Sequence, residues 1–209
     1  GNLNGAISGV TLTGFDYTLD GNEAIGFLNY GSGTGNLSLT NCNFSSNEVH
    51  VYDNENRLNI GDIVEGNDFD KAVTVKKPDN TLLPEIWSKI QDAIDAASDG
   101  DTINVAAGTY NEQVNINKQV SIVGAGKDGP NPTIITSTAN RTVLLGASGT
   151  EASPILLKDL QIQGSSGIYT TFTPIDYVTL ESVWLHANPV KIGEGFRLAI
   201  GHKMTHLTI

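Results

Sequence analysis

The feature that most constrains this chain is a short repeated pattern, apolar-x-x-apolar-x-apolar, followed by small or polar turn residues. Leu157 and Leu180 begin two copies that are 23 positions apart, and Leu39 and Val64 begin two more at a separation of 25. Alternation of apolar residues at i and i+2 within each copy is typical of strands, which Gly, Asn or Ser then ends. The five copies begin at Ile7, Leu39, Val64, Leu157 and Leu180.

A repeat of 23 to 25 residues, with several short strands in each unit, is compatible with few architectures. Leucine-rich repeats need a helix or its equivalent in every unit, and no helical pattern recurs here. A β-sandwich would show hairpin turns and longer strands rather than one repeated cassette. The pattern therefore predicts an all-β chain, a right-handed parallel β-helix whose stacked coils share one apolar core. The inward Asn67 suits such a core, because stacked amides can satisfy one another along it.

One amphipathic α-helix is predicted over residues 84–98, PEIWSKIQDAIDAAS. Its apolar residues recur at helical spacing on one face. Pro84 suits a first helical turn, and Gly100 supplies a C-terminal stop. Because the open end of a β-helix exposes core side chains and unpaired backbone, we predict that this helix caps the first coil of a second β-helix. Strands are predicted after it at residues 102–106, 113–117, 119–124, 133–136 and 141–146.

Residues 86–136 carry further motifs. The helix ends in Ala-Ile-x-x-Ala, a Gly-Asp-Thr strand begins at Gly100, and a turn with Gly108, Tyr110 and Glu112 precedes an apolar strand that closes at Gly-x-Gly. This block resembles the N-terminal part of the pectin lyase-like superfamily, as found in pectin methylesterases and in uncharacterised β-helix surface proteins. The resemblance implies the parallel β-helix fold. We interpret Glu112 and Asp101 as cap and turn residues rather than as catalytic acids or bases.

The resemblance does not extend to catalytic motifs. In the esterases the catalytic aspartates and arginine lie in Gly-Asn-x-Asp-Phe-Ile-Phe-Gly and Leu-Gly-Arg-Pro-Trp, and neither motif occurs in this sequence. The stretch GNDFD at 66–70 echoes the first motif but precedes the helix. His202 and His206 are four residues apart without the glutamate and helix of a zinc motif. No catalytic residue is therefore predicted within the chain.

Charge and composition exclude several classes of partner. The formal net charge of −11 argues against nucleic acid, because no basic stripe could replace phosphate counterions. No apolar run approaches the ~18 residues of a membrane span, so no membrane insertion is expected. The sole cysteine, Cys42, is predicted to be a small core residue. No cofactor is predicted; Ca²⁺ is the alternative, with Glu65, Asp68 and Asp70 as candidate ligands.

The two ends of the chain suggest how it assembles. Residues 1–76 read as terminal coils of one β-helix, 77–83 as a polar linker, and 84–209 as the start of a second β-helix. Open β-helix ends favour strand addition. We therefore expect either adjoining β-helix domains in a larger protein or copies that stack head to tail into filaments. The residues expected at these ends are Ile7, Val10, Leu12, Leu207 and Ile209.

Three classes of function follow. The leading prediction is a non-catalytic secreted or cell-surface protein with a structural or adhesive role, whose partners are copies of itself or adjoining β-helix domains. The second is a carbohydrate-binding module whose aromatic side chains stack on a polysaccharide. The third is a fragment of a polysaccharide lyase or esterase whose active site lies in coils outside this chain. The candidate sugar-stacking residues are Tyr169, Phe172, Tyr177 and Trp184.

Overall fold

The computed structural model describes residues 5–8, 11–13, 25–29, 37–170, 174–187, 194–197 and 206–209. These residues form a mostly β chain, a β-solenoid of about six turns with two short helices. Neither helix is long and apolar enough to cross a membrane. The elements in chain order are β1 (Gly5–Ser8), β2 (Thr11–Thr13), β3 (Ile25–Asn29), β4 (Leu37–Thr40), β5 (Asn43–Ser45), β6 (Val49–Asp53), α1 (Ile60–Gly66), β7 (Asp68–Phe69), β8 (Val73–Lys76), β9 (Glu85–Trp87), α2 (Ile90–Ala96), β10 (Thr102–Val105), β11 (Gly108–Asn111), β12 (Val114–Ile116), β13 (Ser121–Gly124), β14 (Thr133–Thr136), β15 (Val143–Leu145), β16 (Ile155–Gly164), β17 (Ser166–Thr170), β18 (Val178–Ala187), β19 (Glu194–Arg197) and β20 (Leu207–Thr208).

The first coils stack their strands in parallel, as the repeat predicts. Strand β1 pairs with β4, β2 with β5, β5 with β7, and β3 with β6. Equivalent repeat positions lie opposite each other: Ile7 faces Leu39 across one pair of strands. Phe44 likewise lies between Leu12 and Phe69 in the neighbouring sheet. The repeat therefore sets the register between these coils.

The copy that begins at Val64 departs from the predicted strand. Residues Ile60–Gly66 form helix α1 instead, which buries Ile63 in the core. The side chain of Asn59 accepts a hydrogen bond from the backbone N–H of Gly61 (3.1 Å) and so caps the helix. This local cap, which lies before the repeat, accounts for the difference.

Asn67 joins α1 to the preceding coil. Its Nδ2 atom donates to the carbonyls of Leu39 and Ile63, both at 2.8 Å, and its Oδ1 atom accepts from the backbone N–H of Cys42 at 2.9 Å. The inward amide is therefore satisfied by main-chain groups, rather than by stacked amides as predicted. Cys42 itself is buried, which confirms its predicted place in the core.

Beyond residue 100 the chain winds coils with three parallel faces. The first face stacks β10, β13, β16 and β18, the second stacks β11, β14 and the later halves of β16 and β18, and the third stacks β12, β15, β17 and β19. Leu157 lies opposite Leu180 and Ile162 opposite Leu185, so one coil equals the predicted 23-residue spacing. The strands predicted between residues 102 and 146 are confirmed to within about two residues at each end.

The third position of the repeat forms a corner of the coil. Asn41, Asp159 and Ser182 occupy it with φ values of 52°, 53° and 55°, in the left-handed region that Asn, Asp and Gly tolerate best. Strands β16 and β18 pair on both sides of this position but leave Asp159 and Ser182 out of the register. The small polar residue therefore turns the strand from one face of the solenoid to the next.

The helix predicted over 84–98 is shorter in the structure. Residues Glu85–Trp87 form strand β9, and the helix runs only from Ile90 to Ala96. Ile86 and Trp87 stand four and three residues before Ile90, so their spacing mimics a helix face. They are nevertheless adjacent and almost completely buried, because each side of strand β9 faces apolar side chains.

Strands β8 and β9 form a hairpin inserted between the two runs of coils. Strand β9 pairs antiparallel with β6 and β8, and β8 pairs antiparallel with β10. The two runs therefore have opposite strand directions within one continuous sheet. The predicted linker 77–83 forms the turn of this hairpin, in which the N–H of Lys77 donates to the carbonyl of Thr81 (2.8 Å). A division into domains at 1–76 and 84–209 stays a prediction.

The hairpin contributes to two apolar cores. Val73, Val75 and Trp87 pack into the larger core, which fills the coils built on β10, β13, β16 and β18. Ala72 and Ile86 pack into the smaller core with residues of β4, β5 and α1. Since neighbouring residues of a strand point to opposite faces, one hairpin closes both cores.

Glycine substitutions in β18 test the corner. Ser182→Gly relieves the left-handed conformation of an exposed residue, and we expect it to preserve or raise the free energy of unfolding by up to ~1 kcal/mol. Thr179→Gly, in the same strand at ordinary φ, should lower that free energy by roughly 0.5–1 kcal/mol. Urea unfolding midpoints measure both effects. Equal losses in the two variants would contradict the corner assignment.

Candidate functional site

The half-exposed indole of Trp184 forms one wall of a cleft on the outside of the solenoid. This Trp184 cleft is lined by Lys127, Asp128, Val183 and Trp184 and encloses about 300 Å³. The indole is 49% exposed and meets the ring of His186 edge-on, with 5.8 Å between centroids. Lys127 and Asp128, which line the same cleft, form an ion pair. The cleft thus combines an aromatic face with charged hydrogen-bonding groups.

Glutamine side chains brace the cleft from the neighbouring coil. Gln161 lies opposite Trp184 and Gln163 opposite His186 in the β16–β18 register. Leu160 and Ile162 point into the core, so the glutamines point outward. Gln161 Nε2 donates to the carbonyl of Lys127 (2.6 Å), and Gln163 Nε2 donates to Gln161 Oε1 (2.9 Å). This amide chain holds the Lys127 loop beside the indole.

The other predicted sugar-stacking residues do not join Trp184 in one surface. Tyr169 lies on β17, on a different sheet, and is only 7% exposed because the guanidinium of Arg141 covers its ring at 3.7 Å. Tyr177 stacks on the imidazole of His206, with 4.1 Å between ring centroids. Phe172 lies outside the described residues. Of these candidates, Trp184 is the one within the described residues whose ring is open enough for a sugar to stack on it.

The candidate calcium ligands do not converge in the structure. Glu65 and Asp68 are exposed. Asp70 Oδ2 accepts a hydrogen bond from the backbone N–H of Ser46 (3.0 Å), and its Oδ1 atom lies 3.3 Å from His50 Nε2. Among the described residues, no group of three or more His, Cys, Asp or Glu side chains could hold a metal ion. His202 lies outside these residues.

Asp70 also borders a second, polar cleft at the corners of the N-terminal coils. This Asp70 cleft encloses about 290 Å³ and lies where the β5–β6 corner, the β7–β8 corner and the end of β9 meet. Its lining residues are Ser46, Asn47, Glu48, Asp70, Lys71, Ser88 and Lys89. Sequence reasoning missed it, because it is created by the insertion of β9 beside coils that are distant in sequence.

Beneath this cleft lies His50, which is 0% exposed. Burial lowers the pKa of His50, and the nearby carboxylate of Asp70 opposes that effect only in part. Alternation with Val49 and Val51 places His50 on the outer side of β6 by sequence. The structure buries it because the irregular pairing of β6 with β9 at this residue accompanies packing of the ring against Phe44 and Phe69.

The motif at Gly108, Tyr110 and Glu112 is structural. Gly108 has a φ of 144°, and the Tyr110 hydroxyl is buried and donates to the carbonyl of Ala106 (3.1 Å). The carboxylate of Glu112 accepts hydrogen bonds from the N–H groups of Ile90 and Gln91, each at 2.9 Å. Burial raises the pKa of this carboxyl, although these two hydrogen bonds oppose the shift.

A charged side chain also holds the C-terminal end of α2. Lys118 Nζ donates to the carbonyls of Ile94, Asp95 and Ala97, at 3.0, 2.6 and 2.7 Å. Asp101 Oδ2 accepts from the backbone N–H of Ser98 (2.9 Å). The predicted cap and turn roles of Glu112 and Asp101 are therefore confirmed. Both helix ends carry the charge that the helix dipole favours.

The structure describes four of the five residues expected at the ends of the stack. Leu207 lies opposite Val178 on strand β20, and Leu207 and Ile209 are 37% and 88% exposed. Ile7 and Leu12 lie on β1 and β2, in register with the following coil. Val10 lies outside the described residues.

No protein-family model, curated protein or solved structure is significantly similar to this chain. We therefore infer a function from the geometry of the solenoid and its clefts. Of these, the Trp184 cleft is an open surface suited to binding. The Asp70 cleft lies above a buried, titratable side chain.

Removing the Glu112 cap tests its structural role. Glu112→Ala leaves two N–H groups of α2 without their carboxylate partner, and we expect a loss of about 1–2 kcal/mol in the free energy of unfolding. Glu151→Ala, at an exposed position, is the matched control and should change stability by less than ~0.5 kcal/mol. Urea denaturation followed by circular dichroism measures both. Similar losses in the two variants would refute the cap.

Proposed function

We propose that this chain is a non-catalytic β-solenoid segment of a secreted or cell-surface protein, with a structural or adhesive role. In this proposal it stacks end to end on copies of itself or on adjoining β-solenoid domains, and its fold is related to that of pectin lyase-like proteins. The observation that carries the proposal is the register of apolar residues between successive coils on each side of the inserted hairpin, as between Leu157 and Leu180. Such a stack can be extended by adding coils without changing its cross-section.

Edge strands support end-to-end stacking. Among the described strands, β20 pairs only with β18, and β3 pairs only with β6. A strand paired on one side presents unpaired N–H and C=O groups on the other, which can accept a strand from another coil. The exposed apolar side chains of Leu207 and Ile209 accompany one such edge. Contact between unlike edges of successive copies generates an open filament.

Polysaccharide binding at the Trp184 cleft is a second candidate function. The half-exposed indole can stack on the apolar face of a sugar ring, while Lys127 and Asp128 can bond its hydroxyl groups. The net charge of −11 repels a polyuronate, so a neutral polysaccharide is the expected ligand. This function is compatible with an adhesive solenoid.

Light scattering and negative-stain microscopy at rising protein concentration test the assembly. We expect concentration-dependent oligomers that extend into filaments. The double variant Leu207→Lys, Ile209→Lys should remain monomeric, because it adds charge to an edge strand. The control Thr138→Lys, Asn140→Lys adds the same charge at exposed positions of a mid-stack turn and should assemble like the wild type. A wild-type chain that stays monomeric at all concentrations contradicts the proposal.

Titration with neutral glucan oligosaccharides tests the second function. Binding should change the fluorescence of Trp184, and Trp184→Ala should weaken affinity about tenfold, the equivalent of one aromatic contact of ~1.4 kcal/mol. Tyr169→Phe, on another sheet, should leave affinity unchanged. Isothermal calorimetry gives the affinities. Equal binding by wild type and Trp184→Ala would exclude this cleft as the sugar site.

A further inference from the structure

His50 occupies an irregular position at the junction of the two runs of coils. Strands β6 and β9 pair through Val49 opposite Trp87 and Val51 opposite Ile86, with a bulge between the two pairs. His50 is the residue in this bulge. A bulge locally disrupts the ladder and re-aims a side chain. The ring of His50 therefore lies where the inserted hairpin meets the N-terminal coils.

The surroundings of the ring are mostly apolar and tightly packed. Phe44 and Phe69 meet the imidazole edge-on, at centroid distances of 6.2 and 5.4 Å. On β3, a Cβ atom added to Gly26 would lie only 2.9 Å from the carbonyl oxygen of His50. The ring is 0% exposed. A charge at this position has no access to water, so protonation is costly while the site stays closed.

The hydrogen bonds of the ring suit the neutral form. Asn47 Nδ2 lies 3.2 Å from His50 Nδ1, and since an amide nitrogen only donates, Nδ1 accepts. The proton of the neutral ring is then on Nε2, which lies 3.3 Å from Asp70 Oδ1 but has no partner with hydrogen-bond geometry. A second proton would go on Nδ1, directly against the Asn47 amide. Protonation thus requires Asn47 to rotate or the corner to move.

The charged groups on the elements packed around His50 offset only part of the effect of burial on its pKa. The charge of Asp70 and the backbone of Lys71 favour the protonated ring, whereas the charge of the Lys71 side chain disfavours it. Glu48 lies 3.8 Å from Lys89, which offsets its charge. Glu85 stands farther along β9, opposite Tyr52, and the described strand β3 carries no charged residue. The charged side chains on the described elements around His50 are Glu48, Asp53, Asp68, Asp70, Lys71, Glu85 and Lys89.

We propose that Asn47, His50 and Asp70 form a pH-sensitive latch, which holds the β5–β6 corner against the β7–β8 corner at neutral pH and releases it on acidification. Asn47 and Asp70 both line the Asp70 cleft, so release opens that cleft. It also loosens the pairing of β6 with β9, through which the two runs of coils are joined.

The sign of the effect follows from the burial of His50. In the closed latch the pKa of His50 is lowered, whereas in an open, hydrated latch it returns to about 6.5. The open state therefore binds more protons between the closed-state pKa and about pH 6.5. The closed state is fully favoured above this range and loses that advantage as the pH falls through it.

Trp87 provides a local reporter. It is 2% exposed and lies opposite Val49, beside the bulge. The chain has two tryptophans, so Trp184→Phe leaves Trp87 as the sole indole. In this variant we expect a reversible red shift of the emission and stronger acrylamide quenching as the pH falls from about 8 to about 5. Far-UV circular dichroism should stay unchanged, because only the latch opens.

Further substitutions in the Trp184→Phe variant distinguish titration of His50 from titration of other ionisable groups. His50→Gln keeps a polar side chain that does not titrate, and it should abolish the red shift. Asn47→Asp supplies an acceptor for a protonated Nδ1 and should suppress the opening even with His50 in place. Asp70→Asn removes the favourable charge and should enlarge the opening. His206→Gln, at an exposed position, should behave like the parent protein.

Several results would overturn the latch. One is the absence of a red shift in the parent variant, and another is a red shift that survives in both His50→Gln and Asn47→Asp. Loss of circular dichroism in step with the red shift would show global acid unfolding instead of local opening. Because Asn47→Asp retains the histidine, the proposal stays testable if His50→Gln fails to fold.

Discussion

Burial of one hairpin on both of its faces is the constraint on which the rest of this structure depends. Strands β8 and β9 send Val73 and Trp87 into one core, and Ile86 and the residue before β8, Ala72, into the other. Each face excludes water only because coils from a different part of the chain cover it. Full burial of such side chains stabilises by roughly 1.5–3 kcal/mol for each large residue. The antiparallel pairs around the hairpin also allow two runs with opposite strand direction to share a sheet.

Away from the junction, the solenoid depends on corner residues and caps. Left-handed residues such as Asp159 and Ser182 let one long strand serve two faces. Glu112 and Lys118 hold the two ends of α2 from the turns of the next coil. These polar contacts lie where the backbone leaves regular pairing and would otherwise expose unpaired groups.

The junction also buries a polar side chain, His50, whose Nε2 atom has no hydrogen-bond partner. His50 is buried in a bulge between aromatic rings, although strands usually bury apolar side chains. Buried polar groups with incomplete hydrogen bonding are costly, and they are often retained at sites that must change state. The Trp184 cleft differs, because its half-exposed indole lies on a regular outer face braced by glutamines. A regular outer face suits binding, and a junction that buries an incompletely bonded histidine suits a response to pH.

The sequence by itself determined the repeated coil, because the stacking of Leu157 on Leu180 follows from apolar spacing alone. It also predicted the cap role of Glu112, whose motif is local. Helix α1 and strand β9 were not predicted, since Val64, Ile86 and Trp87 fit strand and helix periodicities equally well. Tertiary structure decided these elements, the burial of His50 and the separation of Tyr169 from Trp184. Each depends on contacts between distant coils, and a local pattern cannot specify which coil will cover a given side chain.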